Sequence, residues 1–276
     1  MYNAICNLQN GCVAMNHLRL VRSLTNVNLV FKFHLFYKSI MSASFLLLLI
    51  SISECQGQSN WINPETFQHE INVGNIRKLH HVNQNQIFPP WPENVEIAML
   101  GMGCFWGAER LFWKQPGVFS THVGYAGGSV ENPTYEDIKS GNGGGHVEVV
   151  RIVYDPEVVS YFHILKLFFE NHNPTEGNRQ GIDIGEQYRS VIFPQSDDHL
   201  RTAQHVRDLY QEQLSKVDDR KFDIITTEIV KDALFYYAED YHQQYLSKNP
   251  DGFCGLKNSG ITCPIETLND CPFHSP

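Results

Sequence analysis

Val95-Glu96-Ile97-Ala98-Met99-Leu100, followed three residues later by Cys104-Phe105-Trp106-Gly107-Ala108, changes its period in the middle. The apolar run Val95 to Leu100 reads as a largely buried strand, whereas residues 105 to 115 place Phe105, Ala108, Leu111 and Phe112 on one side of a helix. Cys104 thus falls at a strand-to-helix turn between Gly103 and Gly107. The unpaired N–H groups and partial positive charge of a helix N-terminus favour thiolate over thiol, so the position predicts a lowered cysteine pKa and a nucleophile. On its own the residue reads rather as a small buried apolar side chain, the usual fate of a cysteine outside a disulfide.

Downstream, the pattern alternates. Pro116-Gly117 stops the helix, Val118 to Ala126 reads as a second strand, and Gly127 to Gly145 holds so many Gly, Asn, Pro and Ser residues that it reads as loop throughout. Val147 to Tyr154 is a strand by its β-branched run, with Glu148, Val150, Ile152 and Tyr154 on one face. Ser160 caps a helix that runs to the Asn171-His172-Asn173-Pro174 break, Tyr188 to Phe193 is a strand, and Ser196 caps a long amphipathic helix. Phe222 to Val230 supplies the last strand. Strands alternating with helices define an α/β chain, a mixed-sheet two-layer sandwich with long loops.

Charge divides the chain. The first 53 residues contain no Asp or Glu and four basic residues, Arg19, Arg22, Lys32 and Lys38, which leaves 17 basic and 30 acidic residues from Glu54 onward, a balance of −13. A body so acidic is not built to hold nucleic acid phosphates. The apolar run Phe45 to Ile52 is too short to span a bilayer comfortably and precedes Cys55-Gln56-Gly57, so it reads as a secretory signal starting at Met41 or as part of a mitochondrial presequence. An unused leader would leave the protein in the cytoplasm, and no stable membrane insertion is expected. The expected organisation is a leader over 1–57, an extension or linker over 58–94, a catalytic domain over 95–250 and a flexible cysteine-bearing tail over 251–276.

Seven cysteines, unevenly spread, form no obvious disulfide framework. Cys6, Cys12 and Cys55 lie in or beside the leader, Cys104 stands alone, and Cys254, Cys263 and Cys271 cluster at the end among Gly252, Gly255 and Gly260. A pliable segment bearing thiols suits disulfide exchange. The tail cysteines could instead bind zinc, although no close C-x-x-C pair is present. Other candidates are Glu148, whose pKa rises if its face is buried, and the phenols Tyr135 and Tyr188, with Asp183 nearby in sequence. Cys104 with His146 or His172 would make a cysteine hydrolase or acyltransferase. The run Gly141 to Gly145 is not a phosphate loop, because no Lys-Ser or Lys-Thr follows and a strand comes next.

From Gly103 to about Gly255 the sequence resembles the A-type peptide methionine sulfoxide reductases. The matching blocks include Gly103 to Glu109, Val123 to Gly128, Asn132 to Tyr135, Gly145 to Glu148, Asn178 to Asp183, Gln187 to Ser190 and Tyr236 to Leu246. The resemblance implies reduction of the S epimer of methionine sulfoxide, in proteins or as the free amino acid, without a metal or bound organic cofactor. It implies Cys104 as nucleophile, Glu148 as proton donor, Tyr135 and Tyr188 as hydrogen-bond donors to the oxygen, Phe105 and Trp106 as walls for the substrate methyl group, and Asp183 on the polar side of the pocket. Cys254 would resolve the sulfenic acid and Cys263 would carry the disulfide to thioredoxin, for which dithiothreitol substitutes in vitro. Cys271 has no counterpart in the resemblance. A monomer is expected.

Overall fold

The computed structural model describes residues 76–217 and 224–264. The leader, Cys6, Cys12, Cys55 and Cys271 lie outside the described residues, so the readings made for them stand on sequence alone.

The change of period around Cys104 is real: strand β1 (Glu96–Met102) gives way within three residues to helix α1 (Phe105–Phe112), with Cys104 as its N-cap. The turn needs glycine at 103, where φ is +95° and a Cβ would come within 2.7 Å of Gln180 Cγ. Helix α1 ends at Phe112, three residues before the expected Gln115. Strand β2 (Val118–Ala126) follows. The glycine-rich stretch after it is not all loop, because helix α2 (Tyr135–Lys139) forms there. Thr134 and Asp137 build a reciprocal capping box, which supplies the bonds that composition alone conceals. Next come β3 (Val147–Tyr154), α3 (Tyr161–Glu170), the two-residue strands β4 (Arg179–Gln180) and β5 (Asp183–Ile184), and a 3-10 turn over Glu186–Tyr188. Strand β6 (Ser190–Phe193) therefore begins two residues later than expected. Ser160 and Ser196 cap α3 and α4 (Asp197–Lys216) by accepting the N–H groups of His163 and His199. The expected last strand shrinks to β7 (Glu228–Ile229), and the edge is closed by β8 (Phe235–Tyr237) and α5 (Tyr245–Lys248).

The larger sheet runs β7-β6-β1-β3-β2-β8, antiparallel except for the β6–β7 pair, and is therefore mixed. Its alternation sorts the core. Leu100, Val150, Ile152 and Ile192 face α3 and α4, packing on Phe168, Phe169, Val206 and Tyr210. Met99, Val149, Val191 and Phe193 face the other way, onto Ile76 and Ile87. Each large side chain so buried contributes about 1.5–3 kcal/mol. Residues 76–94 lie on the sheet, where Ile87 O accepts the hydroxyl of Tyr237 and His80 reaches Thr121. Among the described residues no helix is long and apolar enough to cross a membrane.

Candidate active site

Two central elements and one loop converge at the N-terminus of α1. Glu148 opens β3 opposite Tyr125 of β2, and its Oε2 accepts the N–H of Phe105 at 3.1 Å. The register that puts Val150 and Ile152 into the core thus aims this carboxyl at the residue next to Cys104. It is only 2 % exposed, and burial pushes it up to about 8 against the pull of the Phe105 N–H, with the charge of Asp183 adding to the rise. Near neutral pH the carboxyl holds its proton.

Cys104 is half-buried. Its thiol is raised, not lowered as its place at a helix start leads one to expect. Burial is the largest cause and ionised Glu148 the next, and together they outweigh the N–H groups of Trp106 and Gly107 that pull the other way. The Glu148 part of that rise vanishes when the carboxyl is neutral. The site is therefore built to hold one negative charge between the two groups rather than two.

The phenols gather around this pair. Tyr188 is raised by burial, then by the nearby Glu148, Cys104, Tyr135 and Asp183. Tyr135 is raised by burial and by Glu148 and Cys104. Cys104, Glu148, Tyr135, Asp183 and Tyr188 thus lie within electrostatic reach of one another. The carboxyl of Asp183 is also raised by burial, and its buried Oδ2 has no hydrogen-bond donor among the described residues.

Phe105 and Trp106 part company. Phe105 is 1 % exposed and belongs to a core cluster with Val123, Tyr125 and Ile138, whereas Trp106 is half-buried and packs against that cluster. Trp106 stacks on Tyr245 at 3.9 Å between ring centroids and donates its indole N–H to His242 Nδ1 at 3.0 Å. His242 in turn packs on Tyr135 and Tyr241. His242 and Tyr245 lie inside the block Tyr236 to Leu246, where the dense run of tyrosines is the signal the sequence carries.

The recycling candidates are separate from each other. Cys254 Sγ lies 3.0 Å from where a Cβ at Gly107 would stand, so glycine there lets the tail thiol settle on the first turn of α1. It borders a groove of about 230 Å³ lined also by Arg110, Lys114 and Leu256. Cys263 is 1 % exposed in the main core. Both of its main-chain polar groups are held: its N–H donates to Glu170 Oε1 at 2.8 Å and its carbonyl accepts from Lys166 Nζ at 2.9 Å. The tail expected to be pliable is irregular but tied down as far as Cys263, because Lys166 and Glu170 of α3 hold the main chain of Cys263 and Tyr210 bonds Ser259. Cys104, Cys254 and Cys263 are all thiols.

A cysteine hydrolase needs an imidazole beside its thiol. His146 instead gives its two ring nitrogens to Gly128 N–H and the Val130 carbonyl, and His172 gives its own to the Phe168 carbonyl and Ser190. A zinc module needs converging ligands, and among the described residues no group of three His, Cys, Asp or Glu side chains could hold a metal. A thiol facing a proton-holding acid is the equipment of a cysteine-based reductase that must protonate a departing oxygen.

Comparison with known proteins gives the same class. The family model described as "Peptide methionine sulfoxide reductase" matches residues 96–267. The mitochondrial peptide methionine sulfoxide reductase of Bos taurus is 54% identical over 190 residues, 69% of this chain and 80% of that protein. Peptide methionine sulfoxide reductase MsrA of Rhodospirillum centenum is 53% identical over 195 residues, 71% of this chain and 86% of that one. Among solved structures, methionine sulfoxide reductase A of Corynebacterium diphtheriae superposes with a TM-score of 0.58 at 38% identity, covering 70% of this chain and 91% of that one. The chain belongs to the A-type peptide methionine sulfoxide reductases, which are oxidoreductases.

Proposed function

We propose that Cys104 attacks the sulfur of methionine S-sulfoxide while Glu148 protonates the oxygen, and that Cys254, Cys263 and thioredoxin restore the thiol in turn. The observation that carries this reading is the buried, proton-holding Glu148 bonded to the main chain of the residue next to Cys104. The reactive form has one proton on the pair, held by Glu148, with Cys104 as thiolate. The thiolate gives an electron pair to the sulfoxide sulfur, and the sulfur–oxygen bond breaks as the oxygen takes the carboxyl proton. The released hydroxide then attacks the Cys104 sulfur and breaks the new sulfur–sulfur bond, so methionine leaves reduced by two electrons and Cys104 is left oxidised by two as a sulfenic acid. Negative charge grows on the oxygen during attack, so the neutral acid and the hydroxyls of Tyr135 and Tyr188 stabilise the transition state more than the ground state. Trp106 shapes the pocket for the methyl group with Phe105 beneath it, and Asp183, whose Oδ2 lacks a donor among the described residues, receives a substrate N–H.

The Cys254 thiolate then attacks Cys104 sulfur, water departs and a disulfide forms. Cys263 attacks that bridge at Cys254 and frees Cys104, and a thioredoxin dithiol reduces the tail disulfide. The contact of Cys254 with Gly107 favours the first exchange, and the clamp on Cys263 makes the second depend on release of the tail. An acid-free basic leader, together with relatives named mitochondrial, supports a mitochondrial address for the mature domain. Purified protein with dithiothreitol, given methionine S-sulfoxide and the R epimer separately, tests the activity: the S epimer is converted to methionine, and conversion of the R epimer alone overturns the reading.

A further inference from the structure

Three residues beyond Trp106, and on the same helix, Glu109 is fully buried and has no part in the chemistry above. Its carboxylate collects donors. Oε2 accepts the main-chain N–H of Gln244 at 2.7 Å, and Oε1 accepts the side-chain amide of Gln244 at 2.8 Å and the hydroxyl of Thr121 at 3.2 Å. The direction of the Thr121 bond follows from its neighbour. His80 Nδ1 accepts the N–H groups of Val82 and Asn83, so the proton sits on Nε2 and is given to Thr121 Oγ1, 2.9 Å away. The Thr121 hydroxyl then donates to Glu109. All of these partners are donors and favour the charged form, while burial pushes the Glu109 carboxyl up to about 8 against them.

What the carboxylate holds is unusual. Gln244 has φ +48°, a left-handed conformation that glycine adopts readily and glutamine does not. It sits between His242, which takes the indole N–H of Trp106, and Tyr245, which stacks on the Trp106 ring. Gln243 anchors the same turn to the sheet, bonding both main-chain groups of Val123. The sheet contact therefore survives without Glu109, whereas on the α1 side its loss leaves the turn to the contacts of Trp106 with His242 and Tyr245.

We propose that Glu109 is a positioning residue for substrate binding: the two hydrogen bonds it accepts from Gln244 lock the 242–245 turn against α1 and so hold Trp106 at the angle the methyl pocket requires. The inference rests on the reading of Trp106 as a pocket wall. It explains why a carboxylate is buried one turn behind the nucleophile, and why a glutamine occupies a left-handed position that an unconstrained turn would give to glycine.

The test uses the full chain and N-acetylmethionine S-sulfoxide amide as substrate. In Glu109→Gln the amide turns its NH2 group onto at least one of the converging donors, whichever way it is flipped. KM is expected to rise roughly tenfold, with kcat within about twofold of wild type, the scale set by one lost buried hydrogen bond. Gln244→Met removes the amide half of the tie from the other side and raises KM in the same direction by a smaller factor; it decides the matter if Glu109→Gln does not fold. Thr121→Val strikes the same buried network without freeing Gln244, so it lowers Tm and leaves KM unchanged. Trp106→Phe raises KM. A wild-type KM in both Glu109→Gln and Gln244→Met overturns the proposal, as does an equal rise in Thr121→Val. A wild-type KM in Trp106→Phe overturns the pocket reading beneath it, which separates the two failures.

Discussion

The N-terminus of α1 and the segment 251–264 both carry cysteine, but they are held by different means. Around Cys104 the frame is a strand register, a helix start and a buried carboxyl bonded to main chain, all of which form with the fold itself. The tail has no strand or helix between residues 251 and 264, and it is held by bonds to Lys166, Glu170 and Tyr210 and by Leu256, Ile261 and Cys263 packed on the core. Attack on sulfur demands fixed geometry, because misplaced donors lose their stabilising effect steeply. Disulfide exchange demands the reverse, since each sulfur must swing into line with the next. On the proposed roles, regular structure is confined to the first job.

The largest way to break the comparison is to exchange the fates of the two thiols. Cys104→Ser abolishes reduction altogether, whereas Cys254→Ser releases one equivalent of methionine per enzyme and then fails to cycle with thioredoxin, as rapid-quench assays of methionine will show. Sustained thioredoxin-driven turnover by Cys254→Ser removes the tail from the scheme. Next in size, Glu148→Gln slows single-turnover reduction by about 10²–10³-fold while leaving the circular dichroism spectrum and the fold unchanged, the range typical of removing one donor to a developing charge.

The pair also sets a pH profile. Below about 8 Glu148 and Cys104 each hold a proton, so the nucleophile is masked. Losing one proton leaves one to share, and the reactive form places it on Glu148. The kcat/KM of the wild type therefore rises with pH, by about tenfold per unit, up to the Glu148 pKa and then levels. Glu148→Gln loses the inflection near 8. A wild-type profile that falls across this range contradicts the shared-proton account.

The smallest effect tests the tail. Glu170→Ala removes the acceptor of the Cys263 N–H and the partner of Lys166. Modification of Cys263 by a thiol reagent is expected to quicken by about fivefold, the equivalent of about 1 kcal/mol for one hydrogen bond. Unchanged protection would mean that core packing rather than the clamp keeps Cys263 in place.

Much of this frame was legible in the sequence. The alternation in β3 placed Glu148 on the face of Val150 and Ile152, and Ser160 and Ser196 announced their helices, because strand period and capping are local properties. Four features were not legible, three of them for a tertiary reason. Helix α2 hides in a glycine-rich stretch whose composition says loop. Strand β8 has only Phe235, Tyr236 and Tyr237, too few residues for a period to show, and forms because β2 offers an edge. The Cys104 thiol follows burial and a neighbouring carboxyl, which the helix start could not reveal. The clamp on Cys263 likewise spans more than ninety positions.

The most direct measurement is mass spectrometry of a Cys254→Ser, Cys263→Ser variant after one equivalent of methionine S-sulfoxide. One methionine released per enzyme, with a single added oxygen on Cys104 that dimedone traps, is the predicted result. Methionine released with Cys104 unmodified, or the oxygen found on another residue, would contradict attack by Cys104 on the sulfoxide sulfur.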